Sequence, residues 1–436
     1  MTSTRIALVP LVLAVMCFTT ISFAQSSTPP PSGLNSAGKV TQYTLSPERR
    51  QKAVEYSRAR YRLYFIGAAV GLAALALVIA MRWGARFRDL AERVSKRRFV
   101  QALVFVPLLM LVLGILGAPI EAWRQSLALH YGQSVQSWGS WFWDWTKGQA
   151  IGIVISVPLV WILFGVIRRS PARWWFHFWI ASLPIIVFLI FIAPVLIEPL
   201  FFKFEPLNSK QPALVAEIGK VVQRGGLVIP PERMFEMKAS EKLKSVNAYV
   251  TGFGASKRVV VWDTTIQKMT VPQTLFVFGH EMGHYVLGHI PKTIAFVAAV
   301  LLVFLYLGSI LLRFVLERWG ARWKIHGADD WASLPVLIAL ISVFSFLASP
   351  VFSTYSRYQE HQADIYGLEV VHGIVPDSPQ VAAQAFQVLG DINLSDPEPG
   401  QLIRIWLYDH PPISERVVFA NEYDPWSKGQ PPEFVK

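Results

Sequence analysis

The sequence predicts a mainly α, multi-span membrane protein whose polar part bears a small β-sheet. Three observations predict it. The 436-residue chain is 53% hydrophobic and only 16% charged, with a mean hydropathy of +0.38, too apolar for an ordinary soluble protein. Six apolar segments, at about 63–81, 99–119, 151–167, 175–200, 293–312 and 331–352, each approach the ~20 residues that a helix needs to cross the hydrocarbon core. The formal net charge of +12 is carried mostly by short loops between those segments, so membrane topology accounts for it and no nucleic-acid partner is expected. A single cysteine, Cys17, excludes an intrachain disulfide and a cysteine-based metal site.

The elements follow in order. Residues 1–24, with Arg5, an apolar run over 6–18 and small residues at Ser22 and Ala24, read as a signal peptide or signal anchor. Residues 25–62 are a proline-containing linker and an N-terminal amphipathic helix that starts near Pro47 and leads into the first span. Residues 63–200 form a four-span membrane bundle, with tryptophans at segment ends where an aromatic belt would put them. Basic residues fill the loops 82–98, 168–173 and 313–324, which alternation of the six spans puts on one side. By the positive-inside rule that side is the cytoplasm of a cell (inner) membrane, which makes the polar part extracytoplasmic, with a cytoplasmic-facing domain as the alternative.

The first polar half covers 201–292. It holds a helix over 209–224 with Leu214, Ile218 and Val222 on one face, stopped by Gly225 and Gly226. Three strands follow at 234–238, 248–253 and 258–263, the last two joined by a hairpin turn at 254–257. Thr270 as N-cap and Pro272 in the first turn then start a helix over 271–289. A two-span membrane hairpin at 293–352 separates this half from the second, at 353–436.

The helix 271–289 carries His280-Glu281-x-x-His284. Residues i and i+4 share one face of a helix, so both imidazoles can reach one Zn2+ per chain while Glu281 stands beside the water it activates. Zinc in a hydrolase takes three protein ligands. Glu360, on a second helical segment, can approach as the third, and Asp364, one turn on, can fix the tautomer of a ligating imidazole. His289, five residues past His284, reads as a solvated helix end, and His361 points about 100° away from Glu360. Arg357 and Arg416 either neutralise the carboxylate-rich site or bind substrate.

Four motifs in order resemble those of the type I CAAX prenyl endopeptidases, membrane-embedded gluzincins: Asn247-Ala248-Tyr249 with Lys257-Arg258 and Asp263-Thr264, the His280 to His284 helix, Ser356-Arg357-x-x-Glu360-x-x-x-Asp364, and His410-Pro411-Pro412 ahead of Arg416. The resemblance covers roughly residues 40–425. It implies zinc ligands His280, His284 and Glu360, with Glu281 as general base and later proton donor. It implies that Asn247, Tyr249 and the strand around them bind substrate backbone by strand addition, and that His410 and Arg416 stabilise the oxyanion or grip the substrate. The expected partners are a peptide or protein substrate, membrane-bound or lipidated, and the bilayer. A heat-shock-type membrane quality-control zinc protease, and a non-enzymatic zinc-stabilised scaffold or transporter, are the alternative readings.

Overall fold

The computed structural model describes residues 38–252 and 257–435. The signal segment 1–24, most of the linker after it and the hairpin turn up to Ser256 lie outside the described residues. The described chain runs α1 (Pro47–Ala80), α2 (Trp83–Val94), α3 (Arg98–His130), α4 (Trp138–Arg169), α5 (Trp174–Ile192), β1 (Phe204–Pro206), α6 (Pro212–Arg224), β2 (Met234–Met237), β3 (Ala248–Thr251), β4 (Arg258–Trp262), α7 (Asp263–Lys268), α8 (Val271–Val286), α9 (His289–Trp323), α10 (Leu334–Val371), α11 (Ser378–Ile392), α12 (Gln401–Leu407) and α13 (Ile413–Glu422).

Six helical segments, Pro47–Ala80, Arg98–His130, Trp138–Arg169, Trp174–Leu200, His289–Trp323 and Trp331–Val371, are long and apolar enough to cross a membrane. The six predicted spans fall on them. Leu75, Phe105, Phe164, Phe178, Leu301 and Leu337 pack inside the bundle, while Ile115, Val154 and Phe188 point outward, where hydrocarbon can cover them. The helices overshoot the bilayer. At 38 residues α10 is about 57 Å long, against a hydrocarbon core of about 30 Å. One unbroken helix therefore crosses the membrane and continues into the polar domain, and the boundaries drawn at 62/63 and 352/353 fall inside α1 and α10.

The three basic loops meet at one end of the bundle. Arg82 Nε donates to Arg322 O at 3.0 Å, Arg168 Nη2 to Asp329 O at 3.4 Å, and Arg88 Nη1 to Lys324 O at 2.9 Å and Asp330 Oδ2 at 2.5 Å. Residues 82–98, read from their charge as a loop, contain α2. Its Trp83 and Phe87 pack on the bundle, and Arg88 on the same inward side is buried against Asp330. A buried, paired arginine hides a helix face from any pattern that counts arginine as solvated.

At the other end the two polar halves share one core. Leu214, Ile218, Val246, Ala248, Phe276 and Phe278 from the first pack with Ala382, Phe386 and Val417 from the second. The sheet order is β1-β2-β4-β3. β1 and β2 are antiparallel, β2 and β4 parallel, and β3 and β4 antiparallel with Tyr249 opposite Val260. The predicted strands are present; β1, three residues ending in a proline, offers no alternation to read. β3 lies at the sheet edge.

Candidate active site

A capping box starts α8. Thr270 Oγ1 accepts from Gln273 N, and Gln273 Oε1 accepts from Thr270 N at 3.0 Å, satisfying two donors that the helix cannot. α10 then crosses α8 closely because glycines face the contact. A Cβ on Gly367 would sit 3.0 Å from His280 N and 3.1 Å from its Cα, and one on Gly279 would sit 2.8 Å from Val370 Cγ1. Backbone cannot yield as a side-chain tip can. Gly367→Ala is expected to push α10 off α8, destabilise the protein by about 1–3 kcal/mol and weaken metal uptake; an unshifted melting transition in detergent would refute the close-crossing argument.

The crossing brings three buried donors together. His280 Nε2 lies 3.2 Å from His284 Nε2 and 3.1 Å from Glu360 Oε2, and His284 Nε2 lies 3.5 Å from Glu360 Oε1. The relative exposures are 1%, 6% and 0% for His280, His284 and Glu360. Among the described residues these three form a group able to hold a metal ion. The spacing fits zinc: ligands about 2.0–2.1 Å from a tetrahedral ion stand about 3.3 Å from one another.

Behind the cluster, His280 Nδ1 is 2.8 Å from Asp364 Oδ1. Arg416 grips that carboxylate with two hydrogen bonds, Nε to Oδ2 at 2.9 Å and Nη2 to Oδ1 at 2.5 Å, and its guanidinium lies 4.2 Å over the Phe386 ring. Burial alone would push the His280 imidazole pKa down, but the Asp364 and Glu360 carboxylates override it and raise it to about 9. Of the two readings of Arg416, the structure shows the neutralising one and not the one at the substrate: it is a buried partner of Asp364, only 2% exposed. Arg416→Leu leaves Asp364 buried without this partner, and a loss of about 3–5 kcal/mol of stability is expected; a denaturant midpoint equal to that of the unmodified protein would contradict it.

On the open side, His410 Nε2 lies 3.1 Å from Glu360 Oε2 and Nδ1 2.8 Å from Asp409 Oδ1. Arg357 does not sit on the carboxylates as expected. Its Nη1 donates to the carbonyls of Arg404 at 2.9 Å and Tyr408 at 2.5 Å, which ties α10 to the segment that presents His410. Glu281 follows His280 directly and is half-buried.

The edge strand carries the remaining predicted residues. Asn247 is buried; Thr265 Oγ1 bridges its N and O, at 2.8 and 2.7 Å, and its Oδ1 accepts from Ala248 N at 2.9 Å. The Tyr249 hydroxyl donates to Glu198 Oε2 at 2.6 Å, so this side chain ties the sheet to the end of the fourth span. What β3 leaves for strand addition is its backbone: among the described residues no strand pairs with its second edge.

His289 lies elsewhere than the helical spacing predicts. A helix continued to residue 289 would carry His289 off the ligand face, but α8 ends at Val286 and Gly288 takes a left-handed φ of +68°. The turn swings His289 back under the cluster, 2% exposed, with Nδ1 2.8 Å from His284 Nδ1. His361 stays outside it, edge-on against Phe419 at 4.6 Å between centroids.

The comparisons with known proteins place the chain in a family. The profile described as Peptidase family M48 matches residues 208–424, and that described as CAAX prenyl protease N-terminal, five membrane helices, matches 24–203. A protein of Bacillus subtilis (strain 168) named uncharacterized metalloprotease YhfN is 33% identical over 87% of each chain. The chain belongs to the CAAX prenyl protease-like membrane metalloprotease family, M48. The human CAAX prenyl protease 1 homolog is 25% identical over 77% of each chain. The crystal structure of S. mikatae Ste24p superposes with a TM-score of 0.73 at 22% identity, over 91% of this chain and 93% of that one, which shows the shared fold. The metalloprotease is therefore a multi-pass membrane protein, and the quality-control and scaffold readings are not favoured.

Proposed function

We propose that this metalloprotease is a zinc metalloendopeptidase with one zinc per chain, held by His280, His284 and Glu360. The observation that carries this reading is the spacing of the three buried donors at 3.1, 3.2 and 3.5 Å. Bound there, zinc supplies Lewis acidity that polarises a peptide carbonyl and lowers the pKa of water. Glu281 takes a proton from the attacking water and delivers it to the leaving amine. His410, at the rim of the cluster, donates a hydrogen bond to the oxygen that gains negative charge. Asp364, backed by Arg416 and 2.8 Å from His280 Nδ1, favours the proton on that nitrogen and leaves Nε2 for the cluster.

The substrate in this reading is a peptide that extends along the free edge of β3, near Asn247, and whose membrane-bound or lipidated end remains in the bilayer. We place the basic end, with Arg82, Arg88, Arg168 and Arg322, in the cytoplasm of the cell membrane, which sets the polar domain outside it. Two measurements test the reading. The purified protein should contain one zinc per chain and lose peptide cleavage on chelation, recovering when zinc is returned; full cleavage by the metal-free protein would sink it. A periplasm-dependent reporter fused after Lys436 should be active, and an active cytoplasmic reporter there would reverse the orientation.

A further inference from the structure

His280 has an evident partner for its second ring nitrogen in Asp364. His284 needs one equally, because a ligating imidazole works only if its other nitrogen carries the proton. The side chain on that nitrogen is His289, whose Nδ1 lies 2.8 Å from His284 Nδ1 with the ring centroids 5.0 Å apart. Two nitrogens at that distance share one proton, and a third group decides which of them owns it. His289 Nε2 lies 3.3 Å from Gln362 Oε1, and the amide NH2 of Gln362 is directed to the Tyr358 hydroxyl at 3.3 Å. With its carbonyl oxygen turned to the ring, Gln362 accepts from His289 Nε2, and in that arrangement His289 Nδ1 is the acceptor. His284 must then donate through Nδ1, which leaves its Nε2 lone pair bare at the cluster with His280 and Glu360. The opposite sense would put a proton on the atom that has to bind the metal.

We infer that His289, oriented by Gln362, is a positioning residue that fixes the Nδ1–H tautomer of His284 for metal binding. The inference rests on the zinc reading above. The surroundings hold His289 in place for this task. It is 2% exposed, and Gln359 Nε2 donates to its backbone carbonyl at 3.4 Å while Gln359 Oε1 accepts from the Thr293 hydroxyl at 3.0 Å. Both glutamines belong to α10, which also supplies Glu360 and Asp364, so one helix delivers a ligand and orients both histidines. The two imidazoles are backed differently. His280 leans on a carboxylate neutralised by Arg416, whereas His284 leans on an imidazole, which cannot add negative charge beside Glu360.

The test is the zinc dissociation constant of the purified full-length protein in detergent, measured by competition with a chelator of known affinity, with a thermal melt as the folding control. His289→Ala should weaken zinc binding about 10–100-fold, and His289→Asp, which accepts but cannot donate, should bring it back to within about 3-fold of the unmodified protein or beyond. Gln362→Leu should shift affinity the same way by less, and it decides the matter if the His289 variants do not fold. Unchanged affinity in His289→Ala, or in Gln362→Leu where only that variant folds, would overturn the inference. So would a well-folded His289→Asp that binds as weakly as His289→Ala, because packing alone would then account for the residue. If the unmodified protein takes up no zinc, the zinc reading itself has failed. If it binds zinc and the variants bind it equally well, only the role of His289 has.

Discussion

Glu281→Gln is expected to lower peptide cleavage by about 10²–10⁴-fold while the protein keeps its full complement of zinc. The two halves of this expectation have different physical origins. Glu281 is not one of the buried donors whose spacing fits the ion, so its replacement by an amide of nearly the same shape leaves that spacing alone. What the amide cannot do is hold a proton between its removal from water and its delivery to the amine, since its oxygen is a far weaker base than a carboxylate. Elemental analysis and a turnover assay on one preparation check both halves. Cleavage at the unmodified rate would remove Glu281 from the proton path, and loss of zinc together with activity would mean that it helps to hold the ion. The variant, inert but intact, is also the form with which to capture the substrate.

Much of this architecture is legible in the sequence because it rests on short-range periodicity. The six apolar runs are contiguous in the chain, and the Thr270 and Pro272 start of α8 and the pairing of His280 with His284 each depend on residues within one or two turns. What stayed hidden depends on a change of chain direction or on contacts far along the chain. His289 was misplaced by a single residue, Gly288, whose positive φ turns a predicted helix end into a corner. Arg416 and Arg357 were placed among site residues by their motifs, but a motif does not say which way a long side chain points. One turns inward to Asp364 and the other to the carbonyls of Arg404 and Tyr408. α2 went unread because its inward face holds Arg88, which only the distant Asp330 makes tolerable in a buried position.

Glu360→Ala is expected to abolish stoichiometric zinc binding, with a loss of affinity beyond the about 10–100-fold that residues behind the ligands contribute. The three donors close on one point only because α10 brings a carboxylate against two imidazoles fixed on α8, and no other described His, Cys, Asp or Glu completes such a group. The substitution does not undo the helix crossing. Gly279 and Gly283 still face Val370 and Tyr366, and Asp364 still meets His280 Nδ1. The variant should therefore fold, insert in the membrane and bind little or no zinc. That combination separates a ligand from a structural carboxylate. One zinc per chain in Glu360→Ala would show that the third ligand lies elsewhere, and His410, 3.1 Å from Glu360 Oε2, would be the residue to substitute next. Loss of zinc in Glu360→Ala would instead make the metal centre depend on the packing of the last span against α8, since Glu360 stands on the extension of that membrane-crossing helix.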